Sequence, residues 1–339
     1  MITQLTAELV KRKDLSRDQM ASAMSEIMSG NVSTQDIADF LSALADKGET
    51  IDEIVAAVEV MRSLSLKVKT RSDIVLDTCG TGGDRKGTFN ISTIAAIIVA
   101  ACGVTVAKHG NRCVSSACGS ADVLEAAGVS IDLSPEKTEE CLFSVGIAFL
   151  YAPNFHPAMK YAAQARKQLA RKTIFNIMGP LCNPANATHQ LVGVFSLELI
   201  PVITSVLSSL GTKRCLVIHS KDGLDEISTT GSTVMCEYSD GKSTTCEVTP
   251  EMFGMERVSI DQLKGGLAVD NARLMLDILK GAKGIRRDIV VLNAAGALYA
   301  AGRVSCMSDG IAMAAQAIDS GQALKKFEML KEFSRHGKN

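Results

Sequence analysis

Residues 73–112 constrain the fold more than any other part of the chain. Asp73-Ile-Val-Leu-Asp77 is a short apolar stretch of strand length. It runs into Thr78-Cys-Gly-Thr-Gly-Gly-Asp84, a glycine-rich loop. Asn90-Ile-Ser-Thr93 then caps an apolar helix over 94–102, and Val104-Thr-Val-Ala107 is a second strand ending in Lys108-His-Gly-Asn-Arg112. Strands alternating with helices predict an α/β fold with a largely parallel sheet. Further strands are expected at 190–195, 214–219 and 288–292, the last running into a helix from Asn293 to Ala301. Residues 233–248 alternate polar and apolar about Ser239-Asp-Gly-Lys242 and predict an antiparallel hairpin set into the same sheet.

Residues 1–70 have a different texture. Leu5, Leu9 and Val10, then Met20, Ala23, Met24, Ile27 and Met28, recur at helical spacing. Thr34 reads as an N-cap before Ile37, Phe40, Leu41 and Leu44. Gly48 ends that helix, and Ile51 to Met61 repeats the pattern. No catalytic constellation is visible there, so this region is expected to pack or dimerise. A chain of 339 residues exceeds the usual size of one domain, and the change of texture divides it into a helical part, 1–71, and an α/β part, 72–339.

Composition removes several classes. Lys and Arg total 36 and Asp and Glu 37, a net charge of −1, which disfavours nucleic acid held through bulk charge. At 46% hydrophobic and 22% charged, the chain is not disordered. Tryptophan is absent, so Ala, Val, Ile, Leu and Met must build the core. The 10 cysteines show neither C-x-x-C nor zinc spacing. They read as small buried hydrophobes in a reducing cytoplasm. No secretory signal is expected, and the longest apolar run, Ile94 to Val106, is too short to cross a membrane.

Four segments carry chemistry. Gly80-Thr-Gly-Gly-Asp84 lies between strand and helix, where glycines let backbone N–H groups approach a phosphate and the helix N-terminus adds positive potential. A dinucleotide fingerprint would need glycine at Arg85, and a Walker loop would need lysine at Thr88. A plain tight turn uses the same residues; Thr88, Asn90, Ser92 and Thr93 add hydroxyls and an amide fit for an oxyanion cage. Lys108-His-Gly-Asn-Arg112, followed by Ser115 to Asp122, gathers a cation, an imidazole, an amide and hydroxyls at a strand end. Asp225 and Glu226, after the strand at 214–219, suit Mg²⁺, although a solvated acidic turn has the same composition. Arg166, Lys167, Arg171 and Lys172 lie in a stretch without acids, 155–175. That is either a solvated face, a weak nucleic-acid patch, or an arginine for a substrate carboxylate.

Together these segments resemble the anthranilate phosphoribosyltransferase family. The strings are GTGGD with TFNIST (80–93), KHGNR (108–112), GSAD (119–122), HPAMK (156–160), TIFN with GPL-NPA (173–185), DGLDE-S (222–228) and NAA-AL (293–298). Each alone is weak; their order and spacing are specific. The resemblance implies a small helical domain, to which helices around 164–185 return, and a larger α/β domain of the nucleoside phosphorylase and phosphoribosyltransferase kind. It implies a homodimer through the helical part, and transfer of the phosphoribosyl group of PRPP to the amine of anthranilate. Residue by residue it implies that Gly80, Thr81, Gly82, Gly83, Asp84, Thr88, Asn90, Ser92, Thr93, Lys108 and Ser120 bind PRPP. Gly80, His109, Asn111, His156, Arg166, Gly179 and Pro180 would bind anthranilate, with Arg166 on its carboxylate. Ser92, Asp225 and Glu226 would hold two Mg²⁺, and no general base is assigned.

The sequence departs from the family pattern in places. Arg85 and Ala170 stand where glycine is common, Lys172 where arginine is, and Cys118 where serine is. Arg85 either stiffens the glycine loop or adds a phosphate contact. Two rival functions share the fold: a pyrimidine nucleoside phosphorylase, disfavoured by the intact KHGNR and DGLDE strings, and a nucleic-acid-binding relative without the activity, disfavoured by Asn111, Arg166 and Pro180.

Overall fold

A computed structural model describes residues 1–112 and 118–336. The chain opens with four helices, α1 (Ile2–Val10), α2 (Arg17–Met28), α3 (Thr34–Lys47) and α4 (Ile51–Leu64). Their starts are set by side chains. Ser16 and Gln19 form a capping box at α2, and Thr50 and Glu53 form one at α4. At α3 the cap is Ser33, one residue before the expected Thr34, because the Ser33 hydroxyl reaches the Asp36 N–H.

The rest winds about one seven-stranded sheet of order β3-β2-β1-β4-β5-β6-β7. Its strands are β1 (Val75–Gly80), β2 (Thr105–Gly110), β3 (Ile147–Tyr151), β4 (His189–Gly193), β5 (Arg214–Ser220), β6 (Thr233–Ser239) and β7 (Lys242–Val248). The first five pair in parallel, and β6 and β7 form the antiparallel hairpin expected from 233–248. The crossovers are α5 (Ile91–Ala101), α6 (Ser120–Ala126), α7 (Pro135–Ser144), α8 (Ala152–Phe155), α9 (Lys160–Leu169), α10 (Phe175–Met178) and α11 (Leu199–Ser209). The chain closes with α12 (Ala268–Leu279), α13 (Ile285–Ala300), α14 (Met307–Asp319) and α15 (Gln322–His336). No helix among the described residues is long and apolar enough to cross a membrane.

Three expectations are corrected. Residues 288–292 are not a strand but the middle of α13, where Ile289 to Leu292 are buried all round. An apolar run of that length is compatible with either element; Gly284 before it and Asp288 in its first turn mark a helix start. Strand β3 was not expected, being a short, wholly apolar run without alternation. Helix α5 begins at Ile91 rather than 94, and Asn90 spends its side chain on the Cys118 carbonyl at 3.2 Å instead of capping.

The sheet separates two cores by its period of two. Leu191, Leu216, Ile218 and Met235 face the cluster under α5 and α13. Val192, Cys215, Val217 and Cys236 face the other, which joins α1–α4 to α9, α10 and α11.

Candidate active site

All parallel strands deliver their carboxyl ends to one rim, and the winding reverses between β1 and β4, where open α/β sheets bind ligands. The loop after β1 turns on left-handed backbone at Gly82, Gly83, Arg85 and Gly87. Its start is tied to β4: the Thr81 N–H donates to the Gly193 carbonyl (2.9 Å) and the Phe195 N–H to the Thr81 hydroxyl (3.1 Å).

The acidic pair comes to this loop. The Gly82 N–H donates to Asp225 Oδ2 (3.1 Å), and the Ser92 N–H, in the first turn of α5, donates to Glu226 Oε1 (3.2 Å). The approach requires glycine twice. A Cβ on Gly80 would meet Asp225 Oδ2 at 2.4 Å, and one on Gly193 would meet the Asp225 carbonyl oxygen at 1.7 Å. Burial raises the carboxyl pKa of both acids; after it, Asp84 pushes Asp225 up and Asp225 pushes Glu226 up. Lys108, buried at the end of β2, offsets part of this; its Nζ donates to the Thr78 carbonyl and lies 3.4 Å from Ser92 Oγ.

Two carboxylates and a serine hydroxyl form an all-oxygen donor set that carries excess negative charge. That fits Mg²⁺, which takes few protein oxygens and completes its shell with water and phosphate. Among the described residues, no three His, Cys, Asp or Glu side chains make a preformed metal cage. Asp225, Glu226 and Ser92 thus bring oxygens to one rim without enclosing an ion.

The other polar residues singled out between 84 and 120 lie on the loops and helix starts that follow β1 and β2. Asn90 joins the Cys118 carbonyl to Asn271 on α12. Thr88 bridges to Lys264 in a lone β-pair, Asp84 Oδ1 accepts the Lys86 N–H, and Thr93 is buried with an unpartnered hydroxyl. Ser120 starts α6, and its hydroxyl donates to the Asn111 carbonyl at 3.3 Å. Ser115 and Ser116 lie outside the described residues.

The side of the rim that carries the histidines is drier. His109 and His156 are buried with ring centroids 5.2 Å apart. Burial lowers their pKa values to about 3 and about 4, so both imidazoles are neutral. His109 Nδ1 lies 3.1 Å from the Gly179 carbonyl, which can only accept, so the proton is on Nδ1 and buried Nε2 is a bare acceptor without a partner. Pro180 follows in the same turn, and Asn111 is exposed at the rim. Arg166, in the last turn of α9, has its guanidinium carbon 5.1 Å from the centre of the Phe175 ring. Burial lowers its pKa, and no acid among the described residues pairs with it. The structure shows no direct contact between Arg166 and the two histidines.

The departures from the family pattern fall where backbone geometry is special. Arg85 (φ 58°) and Ala170 (φ 49°) both adopt the left-handed conformation that glycine takes freely. Lys172 stands over the Phe195 ring, 3.1 Å from its centroid, and its Cε is 3.7 Å from where a Gly83 Cβ would be. Sequence reasoning passed over Asp77, Asn183, Gln190 and Gly193. Asp77 is fully buried, accepting the His109 N–H (3.1 Å) and the Asn183 amide (2.8 Å).

Fold and site together define a two-domain glycosyl transferase. Residues 3–65 match the glycosyl transferase family's helical bundle domain and residues 72–324 its a/b domain. Among curated relatives, the anthranilate phosphoribosyltransferase of Desulfosudis oleivorans is 48% identical over 99% of each chain. Among solved structures, that of anthranilate phosphoribosyltransferase from Thermus thermophilus matches with TM-score 0.92 and 39% identity, covering 97% of this chain and 99% of that one. The Saccharomyces cerevisiae enzyme in complex with PRPP and Mg matches with TM-score 0.92 and 25% identity, covering 99% and 98%. The chain belongs to the anthranilate phosphoribosyltransferase family.

Proposed function

We propose that this protein transfers the phosphoribosyl group of PRPP to the amine of anthranilate, in tryptophan biosynthesis. The observation that carries the reading is the meeting of the glycine loop, the first turn of α5 and the Asp225-Glu226 pair at the β1/β4 reversal. In the reaction the bond from the anomeric carbon to the pyrophosphate oxygen breaks. The bond from that carbon to the amine nitrogen forms, and the amine loses one proton. Gly80, Thr81, Gly82, Gly83, Asp84, Thr88, Asn90, Ser92, Thr93, Lys108 and Ser120 hold PRPP, with backbone N–H groups and Lys108 facing its charge. Ser92, Asp225 and Glu226 hold two Mg²⁺, which when bound stabilise the departing pyrophosphate.

On the other side Gly80, His109, Asn111, His156, Gly179 and Pro180 line the anthranilate channel, and Arg166 takes the carboxylate. An arylamine is already neutral and nucleophilic at pH 7. His109, with its low basicity, therefore orients the amine by accepting an N–H at Nε2 rather than removing the proton in a committed step. We further propose two domains, 1–71 with the returning helices 164–185 and 72–339, dimerisation through the first, and a cytoplasmic location. Met1, Val10 and Ile51 expose apolar surface on the helical part, which a second copy would cover.

A fluorescence assay of anthranilate consumption with PRPP and Mg²⁺ tests the activity. Phosphorolysis of thymidine or uridine without PRPP would replace it with the phosphorylase reading. Salt-dependent DNA binding without anthranilate consumption would replace it with the nucleic-acid reading. Light scattering that finds a monomer at micromolar concentration would remove the dimer.

A further inference from the structure

The turn that carries Gly179 and Pro180 has a feature that packing alone does not require. Its three consecutive carbonyls are each held by a side chain from a different element. The Gly179 carbonyl takes His109 Nδ1 from β2 at 3.1 Å. The Pro180 carbonyl takes the Gln190 amide from β4 at 2.8 Å. The Leu181 carbonyl takes Arg62 Nε from α4 at 2.7 Å. Two residues on, the Asn183 amide donates to Asp77 Oδ2 on β1 and to the Ala107 carbonyl, both at 2.8 Å. Three adjacent strands and one helix of the N-terminal part thus converge on a single turn.

Two of these anchors are costly to keep. Gln190 is buried, and its Oε1 has no partner, so one amide atom goes unsatisfied while the other holds Pro180. Arg62 gives up much of its hydration for one carbonyl, a loss that nearby Glu59 offsets only in part. A leucine or methionine at either place would fill the volume without that cost. What the polar groups add is direction: each fixes the plane of one peptide.

We propose that Gln190 and Arg62 are positioning residues that set the Gly179-Pro180 turn, from the sheet side and from the helical side, as a wall of the aromatic acceptor's site. The inference rests on the reading that Gly179 and Pro180 line that site. Arg62 also makes the wall depend on α1–α4, from which no other residue is assigned to the site.

The test is steady-state kinetics of Gln190→Met and Arg62→Met with both substrates, together with thermal denaturation. Each variant should raise the KM for anthranilate about 10-fold, the equivalent of one lost hydrogen bond, and leave the KM for PRPP within twofold. Arg62→Lys, which keeps a donor within reach of the Leu181 carbonyl, should recover most of the anthranilate affinity. A merely structural role would lower the melting temperature and leave both KM values of the folded enzyme unchanged; that result overturns the proposal. Arg62 sits on a half-buried helix face, so its variants report even if Gln190→Met does not fold. Pro180→Ala separates the two readings. If it raises anthranilate KM while the Met variants do not, only the positioning role falls. If it too leaves anthranilate KM unchanged, the placement of the acceptor site falls.

Discussion

Arg166 offers a prediction in which substrate affinity falls while stability holds. Its guanidinium lies beside Phe175, partly stripped of water, with no carboxylate to repay that loss among the described residues. Replacing it with methionine keeps the aliphatic stem against the ring and removes the charge. A charge-assisted hydrogen bond contributes about 1.5–3 kcal/mol. At about 1.4 kcal/mol per decade, that loss corresponds to a rise of roughly 10- to 150-fold in the KM for anthranilate. The KM for PRPP should stay within about twofold, because the anthranilate carboxylate is the only partner assigned to Arg166. For the fold, the lost cation–π contact costs about 0.5–1 kcal/mol and relief of the unpaired charge returns a similar amount, so the denaturation midpoint should hardly move. The assay is fluorescence-detected turnover at varied anthranilate and saturating PRPP, with a urea melt of the same preparation. An unchanged anthranilate KM, or a parallel rise in both KM values, refutes the assignment of Arg166 to the carboxylate.

Asp225→Asn combined with Glu226→Gln should abolish most activity together with its Mg²⁺ dependence while leaving the fold intact, since both carboxyls are disfavoured as charges; Mg²⁺-stimulated turnover in the double variant would show that other residues hold the ion. Ala170→Gly should stabilise the protein by about 1 kcal/mol, because Ala170 ends α9 in left-handed backbone (φ 49°, ψ 27°); a lower denaturation midpoint would contradict this. His109 and His156 should stay neutral down to about pH 5, and their ring-proton resonances should not titrate between pH 8 and 5.5; a midpoint near 6.5 would show that they are solvated. Because their folded pKa values lie below the unfolded one, the stability they carry is complete above about pH 6.5 and is lost as pH falls toward about 4 and about 3. The slope is at most about 1.4 kcal/mol per pH unit for each. Asp77, raised to about 6 by burial, opposes that loss between about pH 6 and 4.

The sequence made the strand, glycine loop and helix at 75–101 visible because local signals agreed there. An apolar run, a cluster of glycines and a second apolar run follow within one βαβ unit. The hairpin at 233–248 was visible for the same reason, through its alternation and its Asp240-Gly241 turn. Failures came where the deciding partner is remote. Residues 288–292 and β3 are both short apolar runs, which alone do not separate helix from strand; for 288–292 the local marks, Gly284 and Asp288, lie at the start of the longer helix α13. Gly193 has no local sign of importance; its need for glycine comes from the Asp225 carbonyl pressed against it. Asp77 looks like a polar strand end, yet its partner Asn183 lies 106 residues away in sequence. Gln190, beside Leu191 and Val192 in a wholly buried strand, was a detectable anomaly, because a buried amide needs a reason.

The core of the N-terminal helices includes Ile174, Phe175 and Leu181 from the returning segment, Ile203 and Leu207 from α11, and Val217 and Cys236 from the sheet. On the ribosome these surfaces emerge long after α4 has been made. Helices α1–α4 can pack on one another at once, but the sides of α2 and α3 that meet α9 and the side of α4 that meets α11 stay uncovered until those helices have been made. The helical part begins the chain but draws part of its cover from segments made more than 100 residues later. A nascent chain halted between α4 and α11 would present this apolar surface to chaperones and proteases rather than a finished domain.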